Sequence, residues 1–469
     1  MPSQGGFNLD ISGVAGFFGG EATRSAVARA HTLYEGGRWL GWYNQPGSYD
    51  IARRYARISN STLSRALFPG PREGEDLTTL FQLDGTVGPK FTAAQSGLVM
   101  LRTGHAARLL MEECKSLTID EVPGAPYRVA TPHFVTIVHL AQAPDSTCTP
   151  RRRRGMGLLP AFVPISVSLA GCALCAKWND WYCFSMILLG VVASGISCLI
   201  VGAAILEFQH PRAASGAPPG DGLMTDARGM EAVILKGPEN AINPVTRGRF
   251  VLNYRSAPAD NNISFCSLLL TLQFLTQLLL VPQGTLHGQL LFIGTLVCSW
   301  AYNSYVSTWD GESFQRKILV EQILQPEQMK KYKFGTRTMT VVFILLVLSP
   351  APPEALRRLL DDLLPNDTPV WRQWKQDVLS GIAEGFGEDG PRFPFDHGQN
   401  GAFEEHEMHL LRVLHGDAFA GCEIYRRYRG LSKDDRSSET STPRFAPRRV
   451  LRRLTTLLEK DDSHTDTVV

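Results

Sequence analysis

From residue 261 to 309 the chain runs 49 residues without one Asp, Glu, Lys or Arg. A helix needs about 20 apolar residues to cross roughly 30 Å of hydrocarbon. This stretch is too long for one crossing and reads as a helical hairpin. Its halves are 263–281 and 288–306, with the turn Pro282-Gln283-Gly284-Thr285 between them. Three more charge-free stretches cover 155–176, 181–206 and 338–353, with 22, 26 and 16 residues. Segments 157–176 and 183–206 each have the length of a span, and Pro160 and Pro164 sit in the first turns, where a missing N–H costs least. The last stretch is different. Its apolar core Val341–Leu348 is short and runs into Pro350, Pro352 and Pro353. It fits a buried helix of a water-exposed region or an interfacial segment as well as a fifth span.

Average composition conceals this segregation. The 47 basic and 45 acidic residues leave a net charge of +2, and the mean hydropathy is −0.07, as in an ordinary soluble protein. Soluble core helices rarely run 20 residues without a charge on any face. The pattern excludes a single soluble globule and a wholly disordered chain. Nine cysteines are too few for a disulfide scaffold. The opening Met1-Pro2-Ser3-Gln4-Gly5-Gly6 has no basic region before an apolar core, so the first membrane helix is expected to act as the insertion signal.

Flanking charge sets the expected threading. Arg151, Arg152, Arg153 and Arg154 stand before the first span. Basic residues then number one in the turn 177–180, six in the connection 207–260, none in the second turn and six in 310–337. Basic residues stay cytosolic, which puts the N-terminus and the long connection in the cytosol. Trp178, Trp181 and Tyr182 suit one membrane interface, and Trp300, Tyr302 and Tyr305 the other.

The fold expected is mainly α: a four-helix transmembrane bundle of two hairpins with mostly helical cytosolic regions and a small β-sheet. Its parts are a cytosolic region 1–150, a first hairpin 155–206, a cytosolic connection 207–260, a second hairpin 261–309, a helical region 310–430 containing 338–353, and a disordered tail 431–469. Within the tail, 447–460 is basic and amphipathic. Strands are expected at 127–140, 231–236 and 249–254, with the turn-rich GPENAINPVTRG between the last two. Helices are expected at 21–34, 51–67, 93–117, 313–324, 354–364, 370–382 and 403–419. Gly36, Gly37 and Gly41 among Trp39, Trp42 and Tyr43 form a glycine–aromatic loop.

Two sets of residues mark the bundle interior. Ser168, Cys172 and Ala176 on the first span, and Gly190, Ser194, Cys198 and Gly202 on the second, recur every four residues. Small residues so spaced form grooves that let backbones approach, and the two stripes are expected to face each other. Gln273 and Gln277 lie one turn apart on the third span. Their amides avoid lipid, so a hydrogen bond to Gln289 on the fourth is expected, or else a polar path. No ionisable residue sits in mid-span, which weighs against coupled transport.

Three phrases between residues 240 and 374 carry a resemblance. They are Asn243 with Thr246-Arg247-Gly248-Arg249-Phe250, then Lys333-Phe334-Gly335-Thr336-Arg337-Thr338, and Leu363-Leu364-Pro365-Asn366-Asp367-Thr368 before Trp371. In these the chain resembles a family of uncharacterised multi-pass membrane proteins of basidiomycete fungi. The resemblance implies a membrane location and brings no catalytic residues.

No chemical constellation stands out. Gly13, Gly16, Gly19 and Gly20 lack the Lys-Ser or Lys-Thr of a phosphate loop. Cys172 and Cys175 have CxxC spacing without a second pair. His406, Glu407, His409 and His415 lack the i, i+4 spacing of a zinc-binding helix. Neither a catalytic residue, a cofactor nor a metal is expected, nor is nucleic acid a partner. The expected partners are the lipid bilayer and proteins met by the cytosolic regions. The leading expectation is therefore a membrane-anchored interaction or scaffold protein. The alternatives are a channel or carrier for a small polar solute, using Gln273, Gln277 and Gln289, and a membrane-bound enzyme using His105, His133 or His139.

Overall fold

A computed structural model of the chain describes residues 20–27, 36–59, 61–69, 76–120, 130–142, 144–151, 156–254, 259–349, 351–383 and 403–438. Helices α1 (Gly20–Val27) and α2 (Ser48–Ile58) come first, then strands β1 (Lys90–Ala93) and β2 (Val99–Met100), helix α3 (His105–Ser116), β3 (His133–His139) and β4 (Thr147–Cys148). The first long apolar pair is α4 (Phe162–Lys177) and α5 (Trp181–Val201). It leads into β5 (Ile205–Gln209), β6 (Gly222–Thr225), β7 (Glu231–Lys236), α6 (Glu239–Arg247) and β8 (Arg249–Asn253). The second long pair, α7 (Ala259–Leu280) and α8 (Leu286–Ser307), is followed by β9 (Gln328–Phe334), α9 (Arg337–Leu348), α10 (Pro353–Leu363), α11 (Pro369–Ala383) and α12 (Glu405–Ser438).

The long helices are packed inside out. On α4 the buried positions include Ser168 and Gly171, while Phe162 and Val163 are 55% and 58% exposed. On α7 the buried set includes Ser267, Thr271 and Gln273, while Leu272 and Leu279 are 55% and 70% exposed. Water-soluble helices do the reverse, and an apolar band this extensive marks contact with something other than water. Helix α9 shows the ordinary pattern: every residue from Thr338 to Leu348 is buried.

Three helical segments are long and apolar enough to cross a membrane: Leu159–Lys177, Trp181–Val201 and Asn261–Gln283. The fourth expected span, α8, falls short on mean hydropathy because it carries His287, Gln289, Asn303 and several serines and tyrosines. The stretch 338–353 resolves as a core helix. At 12 residues α9 is about 18 Å long, too short to cross, and α10, α11, α12 and the sheet cover it.

One carboxylate ties the two helical hairpins together. Asp180 caps α5 by accepting the Cys183 N–H at 3.0 Å. It also accepts both the N–H and the hydroxyl of Thr285 at 2.7 Å, at the start of α8. Gly284 and Gly288 leave no room for a Cβ beside Asp180 and Cys183. Burial works to raise the Asp180 carboxyl, but the Cys183 and Thr285 donors outweigh it and hold the group below its ordinary value.

The sheets gather segments far apart in sequence. Six strands run in the order β2-β1-β6-β7-β3-β9, and β4-β5-β8 form a second sheet. Strand β3 lies between β7 and the edge strand β9, parallel to the first and antiparallel to the second, with His133 opposite Phe334 and His139 opposite Gln328. One face of the larger sheet packs on α9 through Val135, Ile137, Ile234 and Phe334.

Several expected boundaries move. The chain expected as one helix over 51–67 breaks after Ile58, where the Ser59 hydroxyl pairs with Ser264. Residues 93–117 begin as the β1–β2 hairpin before α3. Segment 183–206 ends as helix at Val201, and its last residues start β5. The turn-rich GPENAINPVTRG forms α6, because burying Ala241, Ile242 and Val245 in the core outweighs its weak helix propensity. Helix α12 runs on to Ser438, past the expected start of a disordered tail at 431, since no proline intervenes before Pro443. Segment 447–460, Arg152, Arg153 and Arg154 lie outside the described residues.

Replacing Asp180 with Ala removes a helix cap and the link between hairpins. It is expected to cost about 1–3 kcal/mol, read as a lower unfolding midpoint in detergent, and Thr285→Ala added to it should cost little more. The Asp180 value lies lower in the folded than in the unfolded chain. Its contribution is therefore complete above about pH 4 and is lost as pH falls through the folded-state value.

Candidate functional site

The small-residue stripe on α5 does not receive α4. It receives backbone from the N-terminal region. Residues 38–45 run along α5 as a strap, in the opposite direction to the helix. A Cβ on Gly202 would come within 2.6 Å of Arg38. One on Gly195 would overlap the Trp42 ring, one on Gly190 the Asn44 amide, and one on Gly41 the Cys198 side chain. Twelve residues of helix, from Gly190 to Gly202, measure about 18 Å. The strap opens with a 3-10 turn, Gly37–Leu40, and continues as irregular chain from Gly41 to Gln45. The expectation that the two stripes face each other is thus corrected: Gly190, Gly195 and Gly202 make room for a chain thinner than a helix. Ser168 on α4 meets the same strap from the other side, while Cys172 joins the α4–α5 contact with Cys183 and Ile187. Ala176 is half-buried at the end of α4.

Asn44 is the hub of a buried polar network. Its N–H donates to Ser168 Oγ at 3.0 Å, and its Nδ2 donates to Thr295 Oγ1 at 3.0 Å. Its Oδ1 accepts from Gln277 Nε2 at 3.5 Å, and Gln277 also reaches the Met186 carbonyl at 3.3 Å. One turn along α5, Ser194 Oγ lies 2.8 Å from the Gly41 carbonyl and 2.7 Å from Gln45 Oε1. Tyr43 OH donates to Asn303 Oδ1 at 2.9 Å, and Asn303 Nδ2 donates to Thr23 Oγ1 at 3.2 Å, which ties α8 to α1. The strap therefore bonds to α1, α4, α5, α7 and α8 either directly or through one side chain.

Gln289 stands apart. Its Nε2 donates to the carbonyls of Pro282 and Gly284 at 3.3 and 3.0 Å, closing the hairpin turn, so the expected bond to Gln273 or Gln277 is replaced. Gln273 is fully buried, and neither amide atom has a protein partner among the described residues. The same holds for Gln45 Nε2, Ser299 Oγ and Tyr302 OH. Gln277 sits beside Gly190, and α5 and α7 are antiparallel neighbours. Gln273, one turn earlier, is then level with Ser194 and Gln45.

The histidines weighed for catalysis are separated. His105 is buried with Nδ1 on Thr86 Oγ1 and Nε2 on Gln315 Oε1 at 3.1 Å, so both nitrogens are occupied. His133 bonds the Gly229 carbonyl at 3.2 Å and His139 bonds Tyr428 OH at 3.1 Å. Burial, seconded by Arg337 for His133 and by Lys236 for His139, lowers both imidazoles from their ordinary value. His415 pairs with Asp377 at 3.0 Å in the core beside α11, away from His406 and His409. Among the described residues no three His, Cys, Asp or Glu side chains converge as metal ligands. Arg151 is exposed and its N–H donates to Gln322 at 2.9 Å. Comparison with protein-family models, with curated proteins and with solved structures yields no match. The site is read from its geometry alone.

Two substitutions separate structure from path. Asn44→Leu removes the side-chain bonds to Thr295 and Gln277 while its backbone N–H keeps Ser168, and it should lower the unfolding midpoint, by about 1–3 kcal/mol per stranded group. Gln273→Leu removes an amide with no protein partner and should leave the midpoint unchanged or raise it. Ser194→Phe should expel the strap and reduce the yield of monodisperse protein.

Proposed function

We propose that the chain is a multi-pass membrane protein whose four long helices cross the bilayer as two hairpins. The bundle holds a sheet-and-helix domain against the cytosolic face, where that domain meets protein partners. The observation that carries the threading is the pairing of β3 with both β7 and β9. These strands come from before the first helix, between the hairpins and after the fourth helix. Hydrogen-bonded strands share one side of a membrane, so each hairpin brings the chain back to the side it left. If α4, α5 and α7 cross, α8 crosses as well. The inward placement of its Gln289, Thr295, Ser299 and Asn303, against outward Leu290 and Val297, supports that reading. Arg151 and the described basic residues of 207–254 and 310–337 fall on the sheet side, which supports a cytosolic placement.

An anchoring role is favoured over transport because the strap fills the bundle centre and Asn44 spends its donors and acceptors on protein. The carrier reading keeps one supporting observation: among the described residues, the Gln273 amide and Gln45 Nε2 at mid-bundle have no protein partner.

A glycosylation scan tests the threading. Acceptor sites placed at 178–180 and 283–285 should be modified, and the natural Asn366-Asp367-Thr368 should not. Modification at Asn366 would overturn the arrangement. Liposomes holding the protein should pass no small polar solute; flux abolished by Gln277→Leu would replace the anchor with the carrier.

A further inference from the structure

A cleft of about 330 Å³ lies outside the bundle, where the β6–β7 turn and the start of β3 face the first turns of α9 and the end of α10. That volume is in the range of small-molecule sites. Its apolar wall is Met230, Val341, Ile344 and Leu363, and its polar wall carries Lys90, His133, Asp226, Arg228, Arg337 and Asp362. The two acids are engaged. Asp362 accepts from Lys90 Nζ at 2.6 Å, and Asp226 lies 3.7 Å from Lys115 Nζ. Arg228 and Arg337 are exposed and have no acidic partner among the described residues. Two guanidiniums facing one cleft repel each other unless an anion sits between them. Arg337 also opens α9, whose N-terminal partial charge has the same sign.

We propose that this cleft binds a phosphorylated small molecule, its phosphate held by Arg228 and Arg337 and its body lying on the apolar wall. Guanidinium forks match phosphate oxygens in pairs, and the floor of methyl and thioether groups suits a base or acyl portion rather than a bare ion.

Strand register shows from which side the ligand arrives. β3 leaves through His139 toward α4, and β9 is entered through Gln328 from α8, so that end of the pair faces the bundle. The cleft is at the other end, beside His133, a strand length of about 20 Å further out. A lipid headgroup buried in the bilayer surface does not reach it, and a dissolved ligand does. This inference does not depend on whether the bundle anchors or transports.

The test uses the full chain in detergent and ATP and pyrophosphate as probes, followed by calorimetry. ATP is expected to bind, and Arg228→Gln and Arg337→Gln should each weaken it roughly tenfold or more, the scale of one lost charge-assisted contact. Unfolding midpoints should not move, because both side chains are exposed. Arg247→Gln, an exposed arginine on α6, should bind like the parent. Arg337→Lys, which keeps charge without the fork, should fall between. No binding by the parent chain, equal binding by both glutamine variants, or equal loss in Arg247→Gln would overturn the proposal. So would capture by phosphatidylcholine vesicles carrying a phosphoinositide with no response to ATP or pyrophosphate.

Discussion

Hydrocarbon offers no hydrogen-bond partner, and a backbone amide left bare in it costs several kcal/mol. Helices satisfy this locally. An irregular segment among apolar helices satisfies it only if the helices around it supply the partners. The strap 38–45 is such a segment, and the unusual features of the bundle follow from it. Asn44 takes its bonds from Ser168, Thr295 and Gln277 on three helices. Ser194 meets the Gly41 carbonyl. Gly190, Gly195 and Gly202 clear the space. Ser168, Ser194, Gln277 and Thr295, polar residues dispersed over four helices, are joined into one network by the strap.

The same constraint accounts for the inside-out helices and for the low hydropathy of α8. A hydropathy average counts Gln289, Thr295, Ser299 and Asn303 as if they faced lipid, yet all four are buried. The exposed side of α8 carries Leu286, Leu290, Val297, Trp300 and Tyr305. A helix that bonds the strap through Thr295 and Asn303 is thus the one that looks least like a span by composition.

What could be read beforehand divides along physical lines. The charge-free stretches, the turn at 282–285, the aromatic ends and the stripe Gly190–Ser194–Cys198–Gly202 are local or periodic, and each was legible. The occupant of the stripe was not. Nothing periodic links Trp42 to Gly195, some 150 residues away, and a glycine–aromatic loop reads equally well as an exposed turn. The short strands β1, β5, β6 and β9 were missed for a related reason. Each is four to seven residues long and gains its stability from neighbours recruited across the bundle. Likewise α9 is apolar on all sides. Composition alone gives such a helix two homes, and only the cover provided by α10, α11 and α12 decides between them.

Coupling between the two halves of the molecule runs through the chain order. β3 leads into α4 within about 20 residues, and α8 returns through the segment 311–324 to β9, which pairs with β3 along its whole length. The hairpins are therefore long insertions between strands of one sheet, and their feet are set by strand register. A one-residue slip of β9 against β3 would turn Tyr332 and Phe334 away from α9 and shift the entry from α8 by about 3.3 Å. The sheet holds the hairpins in position at one end and Asp180 clasps them at the other. The strap lies between these two fixed ends. A bundle fixed at both ends with an inserted strap bonded along its middle resists the relative helix motion that alternating access requires, which is the mechanical support for the anchor proposed above.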